Sequence, residues 1–279
     1  MARTARIILL MMSICSSAYA DTLRVISLYP GHSENIFALG GSGMLIAVSE
    51  NDDAEFLPSL PRISLRSGAE RILALRPDIV VTRSFAVRLN PNMYEVLERS
   101  GVRVITLDPP SWEEFPAYLK ALAESLNLDT EYALSRLEDI RSGIEAHAHE
   151  KSGAERPRVF LEATSRELHT CSPDSWAARL IELAGGINIA SGARPLRDGS
   201  AVASWGVERV LEFRDKIDVY IIQTGAMNHS GIQDFHAREW SRALEGVKVV
   251  ELPERYMSRP TIFGLELGGN ELVKIFWGE

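Results

Sequence analysis

The sequence predicts an α/β protein of two lobes with mainly parallel sheets, joined by one long α-helix, with a ligand cleft between the lobes. Three observations lead there. GAERILALRPDIVV at Gly68 to Val81 is echoed by GVERVLEFRDKIDVYII at Gly206 to Ile222, with Gly, Glu, Arg, Leu and Arg in register. Short β-branched runs alternate with amphipathic stretches, the pattern of parallel sheets covered on both faces. Between the two repeats, from Ser111 to about Ser152, no strand signal occurs.

The elements follow in order. LRVISL (Leu23 to Leu28) reads as a strand, and SENIFALG as a helix capped by Ser33 and ended by Gly40. Leu45 to Ser49 is a second strand. A helix from Ala69 to Leu75 stops before Pro77, and a strand follows from Asp78 to Thr82. NMYEVLERSG is a helix and VRVITL a strand. SWEEFPAYLKALAESLNL is amphipathic, and DTEYALSRLEDIRSGIEAHAHEK carries Tyr132, Leu134, Leu137, Ile140 and Ile144 near helical spacing, with Asp129 or Thr130 as its cap. After Pro157 the alternation resumes: strand RVFLEA, helices SWAARLIELAG and GVERVLEF, strand DVYIIQT, a helix around AREWSRAL, strand VKVVEL. GLELGGNELVKIFWGE closes the chain as a helix whose start is weakened by Gly264, Gly268 and Gly269. The implied division is a leader over 1–20, a first lobe over 21–110, a helical linker over 111–155 and a second lobe over 156–279.

A chain of 279 residues suits one large domain or two modest ones. Its net charge of −8 argues against a nucleic-acid partner, which requires a basic face. Arg3 and Arg6, the apolar run Ile7 to Met12 and the Ala18-Tyr19-Ala20 ending read as a secretory signal cut after Ala20. That run is too short to span a bilayer, and no other run is longer. A lipoprotein signal would place a small residue before Cys15 and Leu three before it; Ile14 and Met12 stand there, so anchoring is not expected. Cys171 is then the one cysteine of the mature chain, a free buried thiol with no internal partner.

Open parallel sheets bind ligands beyond the carboxyl ends of their strands, and two such lobes make a slot between their loops. One stiff helix permits only small rocking. The loops of the first lobe offer Tyr29, His32, Asp52, Asp53, Arg83 and Phe85. Those of the second offer Arg166, His169, Met227, Asn228, Arg255 and Tyr256, with Trp205 ahead of the second repeat. Aromatic faces suit a flat macrocycle or a catecholate; arginine forks suit an anionic chelate. Arg83, Arg166 and Arg255 either form a basic pocket or are solvated and paired with neighbours such as Glu167 and Glu254. Trp205 either stacks on a ligand or packs in its lobe, and core packing is the better reading for Trp176. His32, His169 and His229, with Glu50 or Asp52, have no tight ligand spacing for a bare metal ion. His147 and His149 point to different sides of the long helix. GGSGML follows a helix instead of opening one, so it is no phosphate loop. No G-x-S-x-G elbow occurs.

RVISLYPGHSENIFALG, GAERILALRPDIVV, SGVRVITLD, SPDSWAARLIELAGGINIA, WGVERVLEF and SRPT occur in an order that resembles the substrate-binding proteins of bacterial ABC importers. The resemblance is greatest to the class carrying vitamin B12, haem and ferric siderophores. It implies a monomeric, non-enzymatic periplasmic receptor that hands a metal chelate to a membrane permease and its ATPase, with a ferric siderophore favoured on the arginines. The alternatives are a carrier of bare Zn, Mn or Fe and a periplasmic α/β enzyme. The resemblance also implies that Glu70 and Glu208 dock on arginines of the permease. Ser67-Gly68-Ala69-Glu70 reads equally as a capping box; Glu208 has Trp205 where such a box needs Ser or Thr.

Overall fold

The computed structural model describes residues 22–57, 59–151 and 155–278. The expected leader and Cys15 lie outside them. The first sheet is built from β1 (Val25–Ser27), β2 (Leu45–Ser49), β3 (Arg62–Ile63), β4 (Ile79–Thr82) and β5 (Arg103–Thr106). All pairs are parallel, in the order β3-β2-β1-β4-β5. Helices α1 (Pro30–Ala38), α2 (Ala69–Leu73), α3 (Ser84–Leu89) and α4 (Pro91–Arg99) connect the strands. Pro30, whose ring fixes φ at a helical value, starts α1 three residues before the expected Ser33 cap. Ser33 sits inside the helix and donates to Ser27 Oγ at 2.8 Å.

Helix α5 (Phe115–Leu126) leads into α6 (Glu131–Glu150), which is unbroken over 20 residues, or about 30 Å. Asp129 Oδ1 accepts from the Glu131 amide at 3.0 Å; the Thr130 side chain makes no capping bond.

The second half contains β6 (Arg158–Thr164), β7 (His169–Cys171), α7 (Trp176–Leu183), β8 (Ile187–Asn188), β9 (Arg194–Pro195), β10 (Val202–Ser204), α8 (Val207–Glu212), β11 (Val219–Thr224), α9 (Ile232–Ala237), β12 (Lys248–Pro253), α10 (Glu254–Met257) and α11 (Ile262–Trp277). Its sheet runs β12-β11-β6-β7-β10-β9, with β8 also on β6. Strands β12, β11, β6 and β8 are parallel, whereas β7, β10 and β9 add an antiparallel extension. That extension is absent from the sequence reading because strands of two or three residues are too short to show a period. AREWSRAL forms a 3-10 turn over Glu239–Leu244 in place of an α-helix.

Three cores result. Ile26, Ile72, Val80 and Leu97 fill the outer side of the first sheet, and Phe160, Tyr220, Ile222 and Phe235 that of the second. The third is continuous: it runs from Val25, Ile36 and Val81 through Leu119, Leu137 and Ile144 to Val159, Leu161, Leu180 and Leu265. The long helix joins the two halves as the sequence predicts, and it is not the sole bridge between the sheets. Helix α11 packs on α6, α7 and α1 as well.

The α11 glycines make this approach possible. A Cβ on Gly264 would lie 2.6 Å from the Arg255 carbonyl oxygen, one on Gly268 would enter the Tyr256 carbonyl, and one on Gly269 would enter the Ile144 side chain. Glycines that weaken an isolated helix thus permit close packing here. Gly268→Ala meets rigid backbone and should cost about 1–3 kcal/mol in urea denaturation. Gly269→Ala meets the far end of the Ile144 side chain, which can change rotamer, and should cost less.

Candidate functional site

The first wall of the cleft rises from the carboxyl ends of β1 and β4. The Arg83 guanidinium lies 4.3 Å from the Tyr29 ring centroid and 5.7 Å from that of Phe85, a cation–π stack. Its Nε is buried without a partner. Phe85 (52 % exposed) and Leu89 (45 %), both on α3, leave an apolar face open. Burial raises the pKa of the Tyr29 phenol, so it stays a neutral hydroxyl.

His32 stands behind Tyr29 and is fully buried. Its Nε2 lies 3.2 Å from the Thr82 carbonyl, which can only accept; Nδ1 therefore accepts from Tyr118 Oη at 2.7 Å. With both nitrogens engaged, His32 supports Tyr29 and does not face a ligand. Burial pushes its pKa down to about 4.

The second wall is a cavity of 330 Å³ lined by Thr164, His169, Leu196, Arg197, Val202 and Met227. Leu196 (51 % exposed) and Met227 (48 %) give it an apolar face. The sequence reading missed Leu196 and Arg197 because they belong to the antiparallel extension. Arg166 projects into solvent, 4.0 Å from Glu167.

Two expected ligand contacts are structural. Asn228 is buried; its Oδ1 accepts from the Ser165 and Ser230 amides, both at 3.2 Å, and its Nδ2 donates to Glu162 at 3.3 Å. Trp205 is buried against Phe160 and Phe213, its ring covered by Arg209 at 4.5 Å.

Arg255 reaches the other half, donating to the Asp53 carbonyl at 3.0 Å, with Tyr256 Oη 3.4 Å from its Nη2. It forms the edge of a polar seam. At the centre Arg259, which the sequence reading overlooked, donates to Glu34 Oε1 and Asp53 Oδ1, both at 2.6 Å. Thr261 Oγ1 donates to Glu34 Oε2 at 2.8 Å, and Asn35 Nδ2 to the Pro260 carbonyl at 3.0 Å. Burial raises the Glu34 pKa against the pull of Arg259. The available signal was the adjacent polar pair Glu34 and Asn35 within the first expected helix.

Glu70 and Glu208 are exposed in the first turns of α2 and α8. Each carboxylate folds over the glycine two residues earlier: Oε2 lies 2.6 Å from a Cβ built on Gly68 and 3.2 Å from one on Gly206. Gly68 is the N-cap of α2, so Ser67 is one residue out of register for the capping box. Cys171 is a buried thiol, its pKa pushed up to about 11 by burial. Among the described residues no three His, Cys, Asp or Glu converge as a metal site, and no helix is long and apolar enough to cross a membrane.

Two α/β halves, a bridging helix and an exposed apolar face in each half define a two-lobed binding protein. The chain belongs to the family described as Periplasmic binding protein, whose profile matches residues 25–256. It is 31% identical over 183 residues to a vitamin B12-binding protein of Pectobacterium carotovorum, covering 64% of this chain and 65% of that one. A vitamin B12-binding protein of Vibrio vulnificus is 25% identical over 268 residues, covering 94% and 92%. Thus the chain spans just under two thirds of the former relative and most of the latter. The periplasmic haem-binding protein HutB of Vibrio cholerae shares the fold with a TM-score of 0.74 at 18% identity, over 91% of this chain and 98% of that one. The vitamin B12-binding protein BtuF of Vibrio cholerae does so with a TM-score of 0.62 at 22% identity, over 90% and 95%. These relatives are binding proteins, not enzymes.

Arg259→Met leaves buried Glu34 without its partner and should cost about 3–5 kcal/mol. Adding Glu34→Gln should restore part of that loss, a coupling that a double-mutant cycle in urea measures. His32 gives a second expectation. Its folded pKa of about 4 lies below the unfolded value of about 6.5, so the unfolded chain binds more protons between them. Its contribution is complete above about pH 6.5 and declines as pH falls toward 4, by up to about 1.4 kcal/mol per unit. Urea midpoints across that window should fall less steeply in His32→Gln.

Proposed function

We propose that the chain is the periplasmic receptor of an ABC importer for a corrinoid, delivered to a membrane permease and its ATPase. The observation that carries this reading is a pair of open apolar faces at the strand ends, Phe85 with Leu89 and Leu196 with Met227. A large, flat, metal-bearing macrocycle suits such faces, and vitamin B12 is what the curated relatives named above are said to bind. The case for a highly anionic ferric siderophore weakens because two of its three expected arginines are diverted, Arg255 turning into the seam and Arg166 projecting into solvent, which leaves Arg83 on the first wall and Arg197 in the second cavity. Haem is the second reading: the cavity holds His169, whose imidazole is able to ligate iron. The mature protein acts as a monomer after removal of residues 1–20, and Glu70 and Glu208 dock on permease arginines.

Calorimetric titration with cyanocobalamin, haemin, ferric siderophores and free Zn and Mn ions tests this. Cyanocobalamin should saturate one site, and Phe85→Ala should weaken it about tenfold or more. Saturation by haemin alone would select the second reading. Charge reversal at Glu70 and Glu208 should abolish uptake by cells while leaving the titration unchanged; surviving uptake would remove the docking assignment.

A further inference from the structure

The turn after β6 stands between two cavities. Thr164 and His169, at its two ends, line the 330 Å³ cavity on the ligand side. Ser165, Glu167 and Leu168, within it, line another of 250 Å³ shared with Glu208 and Trp240.

This turn is strained. Glu167 (φ 55°) and Leu168 (φ 48°) are consecutive non-glycine residues in the left-handed region, where Cβ crowds the following carbonyl oxygen. Such conformations persist where surrounding contacts impose them, and they concentrate in switch regions. Here the base of the turn is pinned. The Ser165 amide donates to Asn228, and Asn228 donates to Glu162. Glu162 is fully buried and accepts from both Arg238 nitrogens, at 2.6 and 2.9 Å, and from Tyr220 Oη at 2.6 Å. By contrast the tip is open: the Glu167 side chain is 69 % exposed.

Two contacts leave the tip in opposite directions. Glu167 Oε2 lies 3.3 Å from His169 Nε2, whose ring lines the ligand-side cavity. The Leu168 carbonyl accepts from the Gly206 amide at 3.2 Å. Gly206 (φ 94°) is the N-cap of α8, and Glu208 lies in the first turn of that helix. An unbroken chain of contacts thus runs from the ligand wall to the docking carboxylate.

We infer that the Ser165–Leu168 turn is a two-position relay between the ligand cleft and the docking face. The inference rests on the proposed roles of the cleft and of Glu208. Ligand engaging His169 withdraws it from Glu167, and the turn relaxes from its left-handed conformation. The Leu168–Gly206 hydrogen bond then carries the change to the start of α8 and Glu208. By linkage, a partner seated on Glu208 alters ligand affinity by the same factor.

The test uses the full mature chain labelled with 5-fluorotryptophan. The Trp240 resonance, assigned with Trp240→Phe, reports on the docking-side cavity in ¹⁹F NMR. It should move in proportion to saturation with cyanocobalamin, or with haemin if haemin is the compound that saturates in calorimetry. Glu167→Gly removes the carboxylate and the strain at the first of the two left-handed positions. That variant should keep ligand affinity within about threefold while losing more than half of the Trp240 shift. A Trp240 resonance that stays fixed as the ligand saturates would overturn the relay with the cleft reading intact, as would an unchanged shift in Glu167→Gly. If neither compound saturates, the cleft reading fails first and the relay falls with it.

Discussion

Arg259 carries a positive charge into the buried junction between the two halves, and much of the architecture answers that charge. Desolvating a guanidinium is costly unless carboxylates and hydrogen bonds replace water. Glu34 comes from α1 of the first half, and Asp53 from the loop after β2. Both must therefore stay within reach of a segment that enters α11 from the second half. Thr261 donates to the second Glu34 oxygen, and Asn35 holds the Pro260 carbonyl and the Ile262 amide. A polar junction of this kind sets register, because a slip of one residue would leave a buried charge unpaired. The apolar core on the same helices supplies area without fixing position.

This junction alters the mechanical picture of the molecule. A single helix between lobes would allow them to swing about its ends. Instead α6 is laid along α11, with Ile144 seated at Gly269, and α11 is tied to α1. Large closure would break a buried ion pair, so the slot between the walls is held largely preformed. Motion is then left to side chains and short turns on the walls, such as the strained turn after β6.

The first wall shows how burial distributes roles. Tyr29 and His32 are three residues apart, at the cap and in the first turn of α1. The ring of Tyr29 is covered by Arg83, and its hydroxyl stays neutral. His32 lies one layer deeper, neutral and doubly hydrogen-bonded. Residue type alone makes both candidates for ligand contact; depth separates them.

The alternation of β-branched runs and amphipathic stretches determined the two parallel arrays, and the strandless middle determined the long helix, because both are local periodicities. The repeated glutamates, Glu70 and Glu208, likewise both stand in the first turn of a short helix, although their glycine caps differ, Gly68 with φ −73° and Gly206 with φ 94°. What no local pattern carries is which distant groups meet. The pairing of Arg259 with Glu34 spans 225 residues, and the short strands that bring Leu196 and Arg197 to the second wall have no period of their own. Asn228, Trp205 and Arg255 seemed available in sequence and are engaged in the structure for the same reason. A side chain's partners depend on how whole elements pack, and packing is decided by burial and by the need to satisfy each buried polar group.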